Sequence, residues 1–330
     1  MIIKRRSKPL VLKKLETVMS RLPPHFSGIA KLQSDITKRY KGYIGEQKVD
    51  YHMLQLLPPK FTILQDVCLQ VNSTKIQLDT IVITQHAIFI IEIKNYNGTL
   101  IFDTILNQFT RSDGDRETGF RHPITQAENQ QLHFISWLHE RNLYHIPVHY
   151  LIAISDPSTI FKVIGDQESI ARIVGHGENI PGKIQKIDEK MSLAGRTRLE
   201  SGIIGKAILQ ENQEFDTNVL HKYGIKDSDI LPGVQCPHCE QLGMVRRHKK
   251  WHCMKCGEYS KHAHLKTLSD YFLLFKPWIT NKECVNFLQI HSRHVVSRLL
   301  KNSNLIYEPK TRRWSQNKIG QHDSRLKALK

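Results

Sequence analysis

Two neighbouring β-type runs carry charge where a buried strand should carry none. In Ile76-Gln-Leu-Asp79-Thr-Ile-Val-Ile83 an acid sits inside a β-branched stretch, and in Ala87-Ile-Phe-Ile-Ile-Glu92-Ile-Lys94 an acid and a lysine do the same. Side chains alternate faces along a strand, so Glu92 and Lys94 share a side. A hairpin turning about Gln85 and His86 pairs Ile83 with Ile88, Ile81 with Ile90 and, carried on, Asp79 with Glu92. Carboxylates that face each other across a strand pair, with Cβ atoms roughly 4.5–5.5 Å apart, repel unless a cation compensates. A hard divalent ion, Mg²⁺ or Mn²⁺, takes one or two carboxylates plus water and phosphate oxygens, and this pair leaves those other positions open. Lys94 beside it would orient or deprotonate an attacking water and stabilise charge on phosphorus, which is the chemistry of phosphodiester hydrolysis. The competing reading is a buried salt bridge from Lys94 to Glu92 or Asp79, which would leave the other acid uncompensated.

The surroundings fit an α/β domain. A helical pattern runs from about residue 44 to 57, preceded by Gly42 and stopped at Pro58-Pro59. Runs rich in β-formers follow at 61–71, 75–83, 87–95 and 99–102, and residues 150–155 read as another buried strand. Pro123 stands at the first position of a long helix. On the first helix Glu46 falls on the stripe of Val49, Met53 and Leu56, near the first turn, where the macrodipole favours an acid. Gly42 and Gly45 would let backbone approach closely there. On the helix after Pro123, Gln126 and Gln130 are i,i+4 on a face that continues to Phe134 and Trp137, so both amides would point at the same site.

Taken together, Gly42-Tyr-Ile-Gly45-Glu46, Leu78-Asp79, Ile91-Glu92-Ile-Lys94-Asn95 with Gly98, and His122-Pro123-Ile-Thr-Gln126 resemble the nuclease-related domain (NERD) of bacterial and plasmid proteins, over roughly residues 40–155. That family is similar to the PD-(D/E)XK, restriction-endonuclease-like superfamily. The resemblance implies a mixed central sheet flanked by helices, Asp79 and Glu92 as ligands of Mg²⁺ or Mn²⁺, Lys94 as the catalytic lysine, and Glu46 and Gln126 as supporting active-site residues. Leu78 stands where the superfamily name has Pro, and His122 stands where Asn is expected before Pro123; neither change removes a ligand.

A second centre follows from cysteine spacing. Cys236-Pro-His-Cys239 and Cys253-Met-Lys-Cys256 are two C-x₂-C pairs, the pattern of a closed tetrahedral Cys₄ zinc site with a structural role. Strands at 242–245 and 247–252 would complete a zinc ribbon. Its run Arg246, Arg247, Lys249 and Lys250 stands beside Trp251, an aromatic able to stack on a base. Beyond it, helices at 268–275, 281–289 and 292–301 and a hairpin at 304–314 resemble a winged helix-turn-helix, with Arg293, Arg298 and Lys301 facing outward on the recognition helix and Arg312 and Arg313 in the wing. Ser292 is a good N-cap for that helix. Cys68 and Cys284 stand in apolar contexts and read as buried thiols.

Charge divides the chain in the same way. Residues 1–40 carry ten Lys/Arg against two acids, residues 41–230 carry 19 against 23, and residues 231–330 carry 19 against six, within a net charge of +17. Basic flanks around a mildly acidic block suit a nucleic-acid binder with a separate globular centre. The expected organisation is a basic segment 1–40, a nuclease-related domain 41–175, a helical linker 176–230, a zinc ribbon 231–262 and a basic winged helix 263–330. No apolar run is long enough to span a membrane, and no apolar stretch follows the basic start as in a signal peptide, so cytoplasmic residence is expected. The reading is a metal-dependent nuclease acting on DNA, with RNA fitting the same basic faces. The alternative is a DNA-binding or regulatory protein that keeps a nuclease-like fold without cutting.

Overall fold

Asp79, Glu92 and Lys94 lie on the strands of a six-stranded mixed sheet. The computed structural model describes residues 1–56, 60–195 and 198–317. In chain order, β1 (Ile2–Lys4) is followed by α1 (Leu10–Met19), α2 (Ile29–Met53), β2 (Thr62–Val71), β3 (Thr74–Ile83), β4 (Ile88–Lys94), β5 (Thr99–Asp103), β6 (Gln108–Ser112) and β7 (Glu117–Phe120). Then come α3 (Pro123–His139), β8 (Val148–Ile154), β9 (Ile160–Ile164), α4 (Gln167–Ile173), β10 (Val174–His176), α5 (Ile180–Leu193) and α6 (Ser201–Glu211). The main sheet has the order β1-β2-β3-β4-β8-β10. β2, β3 and β4 are antiparallel neighbours, whereas β1, β8 and β10 join in parallel.

Alternation along the strands creates two cores. Ile81, Ile83, Ile88 and Ile90 pack with Phe134 and Trp137 of α3 and with Ile204 and Ile208 of α6. The intervening Val82, Phe89 and Ile91 pack with Val49 and Met53 of α2 and with Ile180 and Ile184 of α5. Helices therefore cover both faces, which explains why these strands read as near-continuous apolar runs. A second, four-stranded sheet, β7-β6-β5-β9, closes on the main sheet through Leu100, Phe102 and Phe109 against Ile152 and Ile154.

These elements make one compact unit, Met1–Leu10 with Thr37–Asp216; Val11–Ile36 and the described residues from Thr217 onward make a second. Residues 1–40 are thus shared between the two units. The second contains α7 (Val219–Lys222), a three-stranded sheet of β11 (Val245–Arg247), β12 (Lys250–His252) and β13 (Tyr259–Ser260), then α8 (Ala263–Leu274), β14 (Trp278–Thr280), α9 (Asn281–Leu288), α10 (Arg293–Lys301), β15 (Leu305–Glu308) and β16 (Arg313–Gln316). The last three strands form a sheet in the order β14-β16-β15. Ser292 caps α10, accepting a hydrogen bond from the Val295 N–H.

The first helix departs from expectation. The helix carrying Glu46 begins at Ile29 and not near residue 44, so Glu46 lies deep in its interior and macrodipole stabilisation at a first turn does not apply. Gly42 and Gly45 do not interrupt the helix, since a helical glycine costs only about 1 kcal/mol relative to alanine. A Cβ on Gly42 would meet nothing, but one on Gly45 would fall 2.5 Å from Asn95 Cβ, so only Gly45 serves close approach. The stop expected at Pro58-Pro59 lies outside the described residues. No helix among the described residues is long and apolar enough to cross a membrane.

Candidate functional site

The hairpin register is the one the turn at Gln85 and His86 demands, from Ile83↔Ile88 to Thr80↔Ile91, but the ladder stops there. The expected strand pair Asp79 with Glu92 is not part of it. β4 instead continues alongside β8, through Glu92↔Ile152 and Lys94↔Ile154, while β3 stays with β2. Even the β2–β3 ladder lapses at this level: Gln65↔Thr80 and Val67↔Leu78 flank an unpaired position at which Asp66 adopts a left-handed φ of 54°. Asp79 therefore sits where pairing is open on both sides, and its Oδ2 accepts the Ile93 N–H at 2.8 Å. A main-chain donor that would have served the ladder serves a carboxylate instead.

Glu92 is 2% exposed. Its Oε1 accepts from Lys94 Nζ at 2.6 Å, and its Oε2 accepts from Gln130 Nε2 at 2.7 Å. Lys94 has a second anchor, Gln126 Oε1 at 3.0 Å. Helix α3 thus delivers two amides one turn apart, as the i,i+4 spacing of Gln126 and Gln130 predicts. His122 is the N-cap of α3, accepting the Ile124 N–H on its Nδ1 at 3.3 Å. Asn95 completes the corner: its Nδ2 donates to the Lys41 carbonyl at 2.6 Å and its Oδ1 accepts from Ser155 at 2.8 Å.

Glu46 is held by a residue that the sequence reading did not single out. Arg6 Nη1 lies 2.7 Å from Glu46 Oε2, and Arg6 Nε lies 2.8 Å from Asp50 Oδ2, one turn further along α2. No local pattern marks Arg6 or Asp50, because their partners come from distant parts of the chain. A cation within a basic N-terminal stretch was the only available signal.

The electrostatics follow from burial and crowding. Desolvation, then the neighbouring Glu92 and Glu46 charges, push the Asp79 carboxyl well above the usual carboxylate range, against Arg6 and the Ile93 N–H. Burial also raises Glu46, opposed mainly by Arg6. Burial alone would lower the Lys94 ammonium, but Glu92 outweighs it and the net shift is upward. The buried salt bridge of the competing reading is therefore present between Lys94 and Glu92, and Asp79 is the acid left with too little positive charge. An all-oxygen donor set with one under-compensated carboxylate fits a hard divalent cation held by one or two acids. It does not make a three-carboxylate cage, since the only group of three or more acidic, His or Cys ligand atoms within 4.8 Å of one another among the described residues is the cysteine cluster.

That cluster is Cys236, Cys239, Cys253 and Cys256. A tetrahedron with Zn–S of about 2.3 Å has S···S edges of about 3.8 Å. The observed Sγ separations are 3.7 Å for Cys236 to Cys256 and 3.6 Å for Cys239 to Cys253, so the four thiols can hold zinc. Backbone N–H groups of Cys256 and Lys255 help to bring the Cys253 thiol down to about 6, while the neighbouring sulfurs push Cys256 up to about 12, so within the cluster the first proton leaves from Cys253. Trp251 contradicts the base-stacking expectation: it is 1% exposed, and its Nε1 donates to His264 Nδ1 at 3.2 Å. A small ribbon has little else with which to build a core, so its tryptophan goes inside while Tyr259 stays exposed. Arg246 stacks over that ring at 5.2 Å, leaving Arg247, Lys249 and Lys250 exposed. Arg293, Arg298, Lys301 and Arg312 are also exposed, whereas Arg313 lies over Trp278 at 3.8 Å. Cys68 and Cys284 are buried free thiols, Cys284 pushed up to about 12 by desolvation.

Comparison with known proteins bears on the first unit. No solved structure matches the chain. An uncharacterized protein of Bacillus anthracis is 27% identical over 106 residues, which is 32% of this chain and only 50% of that relative's length. Residues 41–155 match the family model described as the nuclease-related domain, so the segment that contains Glu46, Asp79, Glu92, Lys94 and Gln126 is nuclease-related.

Proposed function

We propose that this protein is a divalent-cation-dependent nuclease that hydrolyses DNA phosphodiester bonds in the cytoplasm. The observation that carries the reading is the meeting of Asp79, Glu92, Lys94 and Gln126 where the β3–β4 ladder opens, inside a nuclease-related segment. Asp79 and Glu92 are the residues that would hold Mg²⁺ or Mn²⁺, which when bound activates water and neutralises phosphate charge. Lys94, held against Glu92 and Gln126, acts as a cation that orients the attacking water and stabilises charge developing on phosphorus. Its second bond to Gln126 keeps it in place when Glu92 turns to another cation. Glu46 and Gln126 support the site.

The second unit supplies DNA affinity in this proposal. Helices α8, α9 and α10 with β14, β15 and β16 follow the order of a winged helix-turn-helix, α10 being the recognition helix and the β15–β16 turn the wing. Arg293, Arg298, Lys301 and Arg312 would meet phosphates or bases, joined by Arg247, Lys249 and Lys250 of the zinc ribbon. Arg246 and Arg313 support neighbouring aromatic rings.

A non-cutting regulator is the second reading, favoured by one observation: Glu46 and Glu92 are already engaged by Arg6 and Lys94. Single Asp79→Ala and Glu92→Ala substitutions separate the two. The nuclease reading expects cleavage in Mg²⁺ to disappear while DNA affinity stays equal or rises. Retained cleavage in both variants rules out this site, and no cleavage by the unaltered protein with salt-sensitive binding favours the regulator.

A further inference from the structure

Arg6 lies outside the nuclease-related segment, yet its side chain is 3% exposed and reaches the candidate site. Around its guanidinium are five oxygen atoms from four residues. These are Glu46 Oε2 at 2.7 Å, Asp50 Oδ2 at 2.8 Å and Oδ1 at 3.2 Å, the Asp79 carbonyl at 2.7 Å, and Thr80 Oγ1 at 3.1 Å. Two carboxylates, a carbonyl and a hydroxyl are what a hard divalent cation selects. Here the position is filled by the chain's own cation.

Its placement is over-determined. β1 pairs with β2 through Ile2↔Ile63 and Lys4↔Leu64, and the Arg6 N–H donates to Gln65 Oε1 at 2.8 Å. Lys4 Nζ donates to the Gln65 carbonyl at 2.8 Å and also to that of Asp66. The two cations thus serve the Gln65, Asp66 and Asp79 carbonyls at the level where the β2–β3 ladder lapses. The same segment that stabilises the opening in the sheet puts a guanidinium beside it.

We infer that Arg6 is a built-in cation whose guanidinium fills the oxygen-lined position between Glu46, Asp50 and the Asp79 carbonyl, and so restricts the candidate nuclease site to a single divalent ion. The inference rests on the proposed nuclease reading for the identity of that single ion, at Asp79 and Glu92. Arg6 is a positioning residue: it touches neither the Asp79 nor the Glu92 carboxylate, and it acts by reserving Glu46 and Asp50. Only a positive side chain can do this without leaving two acids one helical turn apart uncompensated.

The test counts Mn²⁺ ions bound to the zinc-loaded full chain by electron paramagnetic resonance, in the unaltered protein and in Arg6→Gln, Arg6→Lys and Arg6→Gln/Asp50→Asn. Zinc in the thiolate site keeps that centre out of the count, because Mn²⁺ prefers oxygen ligands. Arg6→Gln is expected to gain one Mn²⁺ per chain, Arg6→Lys to keep the original count because its charge still fills the position, and the double variant to lose the gained ion. A melting scan accompanies the count: Mn²⁺ should stabilise Arg6→Gln more than the unaltered protein, which a purely structural arginine would not cause. An unchanged count in Arg6→Gln, with no added stabilisation by Mn²⁺, overturns the inference. The baseline is read separately. One Asp79-dependent ion in the unaltered protein agrees with the nuclease reading, while none counts against that reading and leaves the gain in Arg6→Gln to decide the role of Arg6.

Discussion

The sulfur centre of the second unit and the oxygen centre of the first are built on opposite plans. Four cysteines from two tight knuckles converge within 4.8 Å of one another, two of their Sγ separations match a tetrahedron's edge, and a Cys₄ zinc site leaves no coordination position over. The oxygen centre draws on the N-terminal segment, α2, β3, β4 and α3, and its acids are partly met by Arg6, Lys94 and Gln130. Its acids come from three elements, Glu46 and Asp50 from α2, Asp79 from β3 and Glu92 from β4, and among the described residues no three of them converge within 4.8 Å. A closed site suits a structural ion, and an open, under-compensated one suits a cation that must share its shell with water and phosphate.

The largest expected effect breaks the sulfur side. Purified protein should carry about one zinc per chain, and structural zinc contributes roughly 10–16 kcal/mol in small zinc domains. Chelation or Cys253→Ser is expected to unfold the ribbon and to leave the first unit's melting transition in place. A well-folded ribbon without metal, seen by circular dichroism and metal analysis, would remove the contrast. Next comes the lysine: Lys94→Gln should slow cleavage by roughly 10²–10³-fold, the range for losing one fixed charge-stabilising donor, with little change in DNA affinity. A variant that cleaves normally would return Lys94 to the role of a structural ion-pair partner.

Asp79 offers a smaller but sharper test. Its folded-state pKa is raised, so the folded protein holds this proton more tightly than the unfolded chain does. The resulting penalty is absent below the unfolded value of about 3.9 and fully present once pH exceeds the folded value. With zinc retained and no Mg²⁺ or Mn²⁺ added, Asp79→Asn should therefore raise the first unit's melting temperature at neutral pH, with the gain shrinking as pH falls towards 4. A variant less stable than the unaltered protein at neutral pH would show that Asp79 is compensated without a bound cation. The smallest effect concerns DNA. Replacing Arg293 or Arg298 with Ala should lower the slope of log affinity against log salt by about one each, and an unchanged slope would remove α10 from the interface.

The two centres also differ in how far they could be read from sequence. The cysteine pattern is local, so spacing alone located all four thiols. The carboxylates were legible because a two-residue turn fixes a hairpin register, and the four pairs from Ile83↔Ile88 to Thr80↔Ile91 obey it. Extrapolation failed one step later, where β4 stays with β8 and β3 stays with β2; nothing in either strand announces that separation. The start of α2 was misread because Gly42 looked like a boundary and is simply tolerated within a helix. Arg6 and Asp50 were invisible because a surface-type charge becomes a buried partner only through contacts formed across the fold. The parallel pairing of β9 with β5 was hidden for the same reason, its strand joining the sheet across a long crossover.

The most direct test of the central claim is cleavage of plasmid and single-stranded DNA in Mg²⁺ or Mn²⁺ by the full chain, beside a Glu92→Ala/Lys94→Ala variant purified identically. The account expects cleavage by the unaltered protein and none by the variant, with DNA binding intact in both. Equal cleavage by the two preparations, or salt-sensitive binding without cleavage by either, would contradict it.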